Sequence, residues 1–280
     1  YMAKVWRVVH ENHYDVIIDM RSTVNTLMFS AFSLSTPFRI GVKKGYTRFV
    51  LTDEIDNGSR SLDLDMVKRN LMLCAPLGRL KEISPVEDFT ISITDKERGD
   101  FRKYMESEGI DFSRPVILVG VTTKILSKRW NTSFMVETLR RILEHHPDFQ
   151  LIFNYAPGVE EADARKMFEE LGAPSCVKID IQARSLRELA ALCANCNFYY
   201  GNEGGTRHLA QALGVPSFAI FSPIASPRVW LPQNVTPAHG ISVDDVIPLH
   251  EQGALTNEER FDRITPDEVM TRLDPLLDRL

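Results

Sequence analysis

The chain has 280 residues, of which 44% are hydrophobic and 25% are charged, and its net charge is −5. This composition is ordinary for a globular protein, and the acidic balance argues against bulk nucleic-acid binding. No apolar run reaches the roughly 18 residues that a membrane helix needs. Four cysteines are too few for a disulfide framework at this length, which favours a reducing compartment.

The amino-terminal part of the chain alternates helices and strands. The predicted elements are, in order, a helix, an apolar strand at 14–20, a helix at 23–33, a strand at 38–42, helical periodicity at 62–77 and a strand at 89–93. A charged helix at 94–108 follows, and then Gly109 and a polar segment at 111–115. We therefore predict a domain boundary here, with one domain at 1–110 and a second at 111–280.

The second part begins with a strongly apolar strand and keeps the same alternation. The predicted elements are a strand at 116–120, a helix at 132–145, a strand at 150–154, a helix at 159–171, a short strand near Val177, a helix at 186–193, a strand at 198–200, a helix at 206–213 and a strand at 217–221. The tail at 223–261 reads as irregular. The last helix begins at Thr265 and Pro266, a good N-cap and a residue suited to the first helical position. This pattern predicts an α/β fold, with a doubly wound parallel unit of four or five strands.

A glycine turn between the strand at 198–200 and the helix at 206–213 is the clearest candidate ligand site. Gly204 and Gly205 let backbone N–H groups approach a ligand, and the helix amino-terminus adds partial positive charge. This combination suits a phosphate or a pyrophosphate, and His208 lies in the first turn of the helix. The glycines alone are equally compatible with a purely structural turn.

A second candidate site directly follows the strand at 116–120, where ligands bind in open α/β sheets. Two threonine hydroxyls and three cations lie in this loop: Thr122, Thr123, Lys124, Lys128 and Arg129. Hydroxyls together with a lysine fit a nucleotide diphosphate. A solvated basic loop is the alternative interpretation.

A third candidate site follows the strand at 150–154, where Glu160 and Glu161 open a helix. A carboxylate after a nucleotide-binding strand typically accepts hydrogen bonds from ribose hydroxyls. Acids in a first turn also stabilise a helix through its dipole. Both interpretations stay open at this point.

These motifs resemble glycosyltransferase family nine, the lipopolysaccharide heptosyltransferases. The string Glu203-Gly-Gly-Thr-Arg-His-Leu-Ala-Gln-Ala-Leu-Gly-Val-Pro216 is similar to the carboxyl-terminal signature of the family, and Lys128-Arg-Trp130 is similar to its Lys-x-Trp signature. Glu203 stands where the family usually has Asp, and Gly204 stands where it has Ser or Thr. These two differences change the side-chain contacts that a phosphate would make, whereas the backbone N–H donors remain available.

The resemblance extends over nearly the whole chain through segments at 13–22 and 39–42, with its strength in residues 116–223. It implies a GT-B fold, in which two Rossmann-like, doubly wound domains face a cleft and the first is incomplete here. Residues 1–110 would be the remnant of the acceptor-side domain. Residues 111–280 would be the donor-binding domain, with a last helix that crosses back. About a quarter of a complete family member, including the loop that carries the general base, is expected upstream.

The resemblance also implies roles for individual residues. Lys128 and His208 are expected to act in catalysis by stabilising the departing diphosphate, and no general base is assigned within the chain. The expected donor-binding residues are Thr122, Thr123, Lys128, Glu160, Arg184, Glu203, Gly204, Gly205, Thr206 and His208. Arg184 is assigned to the neighbourhood of the donor base. No metal and no cofactor are expected.

The activity implied is an inverting, metal-independent transfer of a heptose from a nucleotide diphosphate donor such as ADP-heptose to the lipid A–core of lipopolysaccharide. The expected location is the cytoplasm, with peripheral association at the cytoplasmic face of the inner membrane. A nucleotide-sugar-binding protein without transferase activity is one alternative. A Rossmann-type nucleotide enzyme such as a dehydrogenase is another, although the Gly-x-Gly-x-x-Gly string that it requires does not occur.

Overall fold

The computed structural model describes residues 1–58, 63–232 and 237–280, which divide into two units, Tyr1–Glu87 and Asp88–Leu280. Among these residues, no helix is both long enough and apolar enough to cross a lipid bilayer. Each unit has its own parallel sheet and its own core.

The first unit contains, within its described residues, a three-stranded parallel sheet in the order β1-β2-β3. Its elements are α1 (Met2–Asn12), β1 (Val16–Asp19), α2 (Val24–Ala31), β2 (Phe38–Val42), β3 (Asp53–Ile55) and α3 (Met66–Met72). Ile40, Val42 and Leu73 form its small core. The helical periodicity at 62–77 corresponds to α3 and a 3-10 turn at Ala75–Arg79, and Leu62 lies outside the described residues.

The second unit contains, within its described residues, a six-stranded parallel sheet in the order β6-β5-β4-β7-β8-β9. Its elements are α4 (Asp95–Ser107), β4 (Val116–Gly120), α5 (Thr132–His145), β5 (Gln150–Asn154), α6 (Val159–Glu170), β6 (Val177–Lys178), α7 (Leu186–Ala194), β7 (Phe198–Asn202), α8 (Gly205–Ala212), β8 (Ser217–Ile220), α9 (Pro227–Trp230), β9 (Ala238–Ile241), α10 (Leu249–Gln252), α11 (Asn257–Phe261) and α12 (Pro266–Leu277). The sequence predicts four or five strands, and β9 is the strand it does not predict.

The continuous apolar run of β4 is explained by burial on both faces of the sheet. Ile117 and Val119 pack into a cluster with α5, α6 and α12, whereas Val116 and Leu118 pack into a cluster with α4, α7 and α8. Alternate residues of a strand point to opposite faces, so a strand covered on both sides is apolar at every position. The parallel sheet with helices on both faces confirms the predicted doubly wound unit.

The boundary between the units differs from the predicted one. The second unit begins at Asp88 rather than at residue 111, because α4 packs on α7 and buries Phe101 and Met105 in the shared core. The strand predicted at 89–93 does not form. Its Ile91 N–H donates to the carbonyl of Ala212, and Ile91 and Ile93 pack against the same core. These half-buried apolar residues are therefore covered by helices and not by sheet pairing.

The tail at 223–261 is more regular than predicted, because it includes α9, β9, α10 and α11. Residues 233–236 of this tail lie outside the described residues. The last helix begins as predicted, with Thr265 as its N-cap and Pro266 in its first turn. Its apolar face packs on α5 in the core of the second unit.

Candidate functional site

The loops that carry the predicted donor residues converge because β5, β4 and β7 are neighbours in the sheet. β4 and β7 approach each other closely where they end. Gly201 has a φ of 140°, and a Cβ there would lie 2.7 Å from the backbone nitrogen of Gly120. Glycine is therefore required at position 201, and the two following loops begin side by side.

Asn202, the last residue of β7, holds the loop after β4 in place. Its amide nitrogen donates to the carbonyls of Gly120 at 3.0 Å and Val121 at 3.1 Å, and its amide oxygen accepts from the backbone nitrogen of Trp130 at 2.8 Å. Trp130 is buried and donates from its indole to the carbonyl of Ile264 at 2.8 Å. Both ends of the lysine-containing loop are thus fixed to the core, a role for Asn202 that sequence analysis did not identify.

Lys128, Glu203 and His208 form a charged group at the end of β7. The ammonium of Lys128 donates to Oε2 of Glu203 at 2.7 Å, and Nε2 of His208 lies 3.6 Å from Oε1 of the same carboxylate. The Glu203 side chain is only 4% exposed. Burial alone would raise the pKa of Glu203, but His208 and Lys128 outweigh it and lower this pKa to about 2. Glu203 is therefore an ionised anchor for Lys128 at neutral pH.

The structure separates the two candidate ribose acids. The hydroxyl of Thr122 donates to Oε2 of Glu160 at 2.8 Å, which joins the loop after β4 to the first turn of α6. Glu161 instead pairs with Arg165 of its own helix at 3.0 Å, and Arg165 also reaches Asp180. Glu160 is therefore the acid that lies with the other candidate donor residues.

The amino-terminus of α8 presents backbone donors without a side-chain cap. Gly204 is the N-cap residue and caps with no side chain, and the first turn contains no acid. A Cβ on Gly204 or Gly205 would meet nothing within 4 Å, and neither residue has a left-handed backbone. The fold itself does not require glycine at these two positions. The hydroxyl of Thr206 donates to the side-chain oxygen of Asn154 at 2.8 Å, which ties this turn to β5.

His208 lies in the first turn of α8 between aromatic side chains. Its ring is edge-on to Trp230 at 5.7 Å and to Phe89 at 6.3 Å between ring centres. Burial is the largest influence on the pKa of His208 and lowers it, and the charges of Arg207 and Lys128 act in the same direction against Glu203. The pKa of His208 therefore lies below its ordinary value, which favours the neutral imidazole. Sequence analysis gave no role to the neighbouring Arg207, which is fully buried.

Three predicted or neighbouring residues lie apart from this charged group. Arg184 is exposed, its backbone nitrogen donates to Glu188 at 2.7 Å, and it lines a cavity of about 540 Å³ between α4 and α7. The hydroxyl of Thr123 accepts from the backbone nitrogen of Ile125 at 3.4 Å. Lys124 is exposed and pairs with none of the residues that the structure describes.

The arrangement is suited to an anion at the carboxyl edge of the sheet. A partly buried lysine and a hydroxyl from the loop after β4 and the uncapped amino-terminus of α8 after β7 lie at the ends of two adjacent strands. Lysine ammonium groups and helix amino-termini both bind phosphate groups. A carboxylate beside such a site is suited to hydroxyl groups of a sugar.

Comparison of the sequence with known families gives one match that covers most of the chain. The sequence profile of glycosyltransferase family 9 (heptosyltransferase) matches residues 2–242. Lipopolysaccharide heptosyltransferase 1 of Campylobacter coli is 28% identical over 120 residues, which make up 42% of this chain and 35% of that protein. The chain therefore aligns with about a third of the length of this curated relative.

Three solved structures are similar along nearly the whole chain. A family 9 glycosyl transferase from Veillonella parvula has a TM-score of 0.75 at 17% identity, covering 100% of this chain and 78% of that one. ADP-heptose LPS heptosyltransferase II of E. coli has a TM-score of 0.73 at 16% identity, with coverages of 99% and 81%. E. coli heptosyltransferase WaaC with ADP-2-deoxy-2-fluoro heptose has a TM-score of 0.66 at 14% identity, with coverages of 98% and 76%.

These similarities confirm the fold class that the sequence implies, an α/β fold of the GT-B type with parallel sheets. The family match covers the loop of Lys128, the first turn of α6 and the segment from Glu203 to His208. Taken with the structural similarity, it shows that the chain belongs to glycosyltransferase family 9, the heptosyltransferase family.

Proposed function

We propose that the chain is a glycosyltransferase that moves a heptose from ADP-heptose to the lipid A–core of lipopolysaccharide, with inversion and without a metal ion or cofactor. The observation that carries this proposal is the group formed by Lys128, Glu203 and His208 beside the uncapped amino-terminus of α8. Family membership supports it, as does the E. coli relative whose structure contains ADP-2-deoxy-2-fluoro heptose.

In this proposal the diphosphate of the donor lies between Lys128 and the first turn of α8. Its oxygens accept hydrogen bonds from the Lys128 ammonium, from the backbone of Gly204–Thr206 and from the loop hydroxyls of Thr122 and Thr123. Glu160 accepts from the ribose, and Arg184 lies towards the base. Thr122 and Glu160 are already joined by a hydrogen bond of 2.8 Å, so a ribose hydroxyl would share or replace that contact.

The chemical step is a displacement at the anomeric carbon. The acceptor hydroxyl forms a new bond to this carbon and gives up its proton to a base, while the bond from the carbon to the diphosphate oxygen breaks. Negative charge then grows on the departing diphosphate. Lys128, His208 and the α8 amides stabilise this charge, and such preorganised donors act mainly on the transition state. None of these residues is assigned as the base.

Glu203 has a separate role in the proposed site. Its carboxylate is ionised and buried, and it fixes the ammonium of Lys128 at the sheet edge. This preorganisation lowers the entropic cost of placing a flexible lysine against the diphosphate. The acceptor lipid places the reaction at the cytoplasmic face of the inner membrane, with the protein bound peripherally.

A transfer assay with ADP-heptose and a lipid A–core acceptor tests this function directly. We expect ADP release that depends on the acceptor and a glycosylated product with inverted anomeric configuration. Addition of a chelator should leave the rate unchanged. Binding of ADP-heptose with no acceptor-dependent release would favour the alternative of a binding protein without transferase activity.

A further inference from the structure

Arg129 lies in the loop after β4, between Lys128 and the buried Trp130, and its guanidinium bridges this loop to α6. Nη1 donates to Oδ2 of Asp163 in α6 at 2.5 Å, and Nη2 donates to the carbonyl of Thr123 at 3.4 Å. The side chain is only 15% exposed. Its Nε is buried and has no hydrogen-bond partner among the residues that the structure describes. Asp163 and Thr123 therefore determine where the guanidinium lies.

The contacts of Arg129 lie next to the contact between two expected donor-binding residues. Asp163 follows Glu160 by three positions on α6, so the two carboxylates lie on the same side of the helix. Thr123 directly follows Thr122, whose hydroxyl donates to Oε2 of Glu160 at 2.8 Å. The loop after β4 is therefore joined to the start of α6 at two neighbouring points, and Arg129 forms one of them.

The other side of the same loop is held by β7 through contacts that do not involve Arg129. The ammonium of Lys128 donates to Glu203 at 2.7 Å, and the backbone nitrogen of Trp130 donates to the side chain of Asn202 at 2.8 Å. Loss of the Arg129 guanidinium should therefore loosen the loop from α6 and leave Lys128 at the end of β7.

We propose that Arg129 is a positioning residue that, with Asp163, sets the distance between the loop that binds the diphosphate and Glu160, the acid that binds the ribose. This inference rests on the proposed function for the identity of the ligand. The diphosphate and the ribose of a nucleotide are joined covalently, so one ligand meets Lys128 and Glu160 together only if the loop and α6 keep a fixed spacing. Arg129 is itself paired with Asp163 and acts on the ligand through the position of Glu160.

Arg165 provides a matched control on the same helix. Its guanidinium pairs with Glu161 at 3.0 Å and with Asp180 at 2.9 Å, and neither partner belongs to the loop after β4. Arg165→Met therefore removes an ion-paired arginine of α6 without breaking the contact between α6 and that loop.

The test is calorimetric titration of the full chain with ADP, with AMP and with dideoxy-ADP, which lacks both ribose hydroxyls. The wild type should bind ADP about tenfold more tightly than dideoxy-ADP. Arg129→Met and Asp163→Asn should lose most of this preference, as Glu160→Gln should, and should keep the wild-type ratio of ADP to AMP affinity. Arg129→Lys should keep part of the preference, because a lysine still pairs with Asp163 but lacks the second arm of the guanidinium. Arg165→Met should keep both ratios.

Several results would overturn the inference. If Arg129→Met lowers the ratio of ADP to AMP affinity as Lys128→Ala is expected to do, Arg129 binds the diphosphate directly. A full ribose preference in folded Arg129→Met or Asp163→Asn would show that the spacing does not depend on this pair. A wild type that binds ADP and dideoxy-ADP equally would show that no ribose contact exists for Arg129 to position.

Hydrogen exchange of the ligand-free chain supplies a measurement that needs no nucleotide. Backbone amides of residues 121–127 should exchange faster in Arg129→Met than in the wild type, and Arg165→Met should leave their exchange unchanged. Wild-type exchange in Arg129→Met would contradict the positioning role. A chain that binds no ADP therefore contradicts the proposed function, while exchange in this loop still decides whether Arg129 holds it.

Discussion

Lys128 and Lys124 lie in the same loop but in different surroundings. Lys128 is partly buried and bonded to Glu203, whereas Lys124 is exposed and pairs with no described residue. A cation on a diphosphate in a partly desolvated site contributes about 1.5–3 kcal/mol. Lys128→Ala should therefore weaken ADP binding about 10- to 100-fold, and Lys124→Ala should have little effect. Calorimetric titration of both variants checks this, and equal effects would contradict the assignment of Lys128.

The same substitution should also lower stability, because it leaves the Glu203 carboxylate buried without its lysine. Breaking one partner of a buried pair typically destabilises a protein more than breaking an exposed one. Binding must therefore be measured on variants shown to be folded. Lys124→Ala, which removes an exposed lysine, should keep the wild-type unfolding temperature.

Substitutions at Gly205 and His208 distinguish a turn that binds a ligand from a purely structural turn. The fold leaves open space at the Cβ position of Gly205 and has no left-handed backbone there. Gly205→Val should therefore keep the melting temperature within a few degrees of the wild type and abolish nucleotide binding, because the side chain would fill the place of the diphosphate. His208→Ala should keep partial binding through the backbone amides.

One result of this experiment would contradict ligand binding at the turn before α8. A folded Gly205→Val protein with normal nucleotide affinity would show that no ligand approaches this turn. Melting temperature and affinity should be measured on the same two samples, since a loss of both in Gly205→Val would reflect the fold rather than the site.

The lowered pKa of Glu203 predicts that the stability of the folded chain depends on pH. Its pKa is about 2 in the folded chain against an ordinary value of 4.5, so the unfolded state binds the proton more readily as pH falls. The stabilisation is present above pH 4.5 and is lost as pH falls towards 2. Between pH 6 and pH 3 the free energy of unfolding should therefore fall by about 1–2 kcal/mol more in the wild type than in Glu203→Gln. Urea titrations followed by tryptophan fluorescence measure this, and parallel pH profiles would contradict it.

Some residues of the candidate site can be predicted from the sequence, and others cannot. The lysine, hydroxyl and glycine positions of the candidate site stand in motifs that follow apolar strands, which is why the sequence predicts them. Asn202 was missed because a single amide at a strand end looks like the start of a loop, although a polar residue closing a buried strand is a usable signal. Arg207 was missed because arginine on a helix reads as an exposed cation.

At the scale of elements, the strands with apolar residues were predicted, including the short edge strand β6, and the two strands without an apolar pattern were not. β4 and β5 match their predicted bounds. β3 and β9 were missed because Asp53–Ile55 begins with two acids and Ala238–Ile241 contains His239 and Gly240, so neither has a strand-like pattern. Both lie at sheet edges, where pairing with one neighbour determines the strand.

Because α4 belongs to the second unit, a substitution on its buried face should lower the stability of that unit. Met105 of α4 is 0% exposed and packs in the core shared with α7, whereas Lys103 is exposed. Met105→Ala should lower the unfolding free energy of the second unit by about 2–5 kcal/mol, and Lys103→Ala should not change it measurably. Fluorescence of Trp130 and Trp230, read in a Trp6→Phe background, follows this unit. An unchanged Met105→Ala transition would argue that α4 does not belong to it.

At the scale of the whole molecule, the side-chain pairs of the candidate site result from sheet topology rather than from local sequence. Thr122 and Glu160 are 38 residues apart, and Lys128 and Glu203 are 75 apart. They meet because β5, β4 and β7 lie side by side. Sequence patterns predict which loops leave the same edge of a parallel sheet, but the partner of each side chain depends on strand order and loop conformation. All the expected donor residues fall in the second unit.

The central claim is that Lys128 and the amino-terminus of α8 bind a nucleoside diphosphate, and titration of the full chain with ADP and AMP tests it most directly. ADP should bind with a micromolar to millimolar Kd and AMP at least about tenfold more weakly. Lys128→Ala should reduce ADP affinity much more than AMP affinity, because the lysine is assigned to the diphosphate. Equal affinities for ADP and AMP, or no nucleotide binding by the folded protein, would contradict the claim.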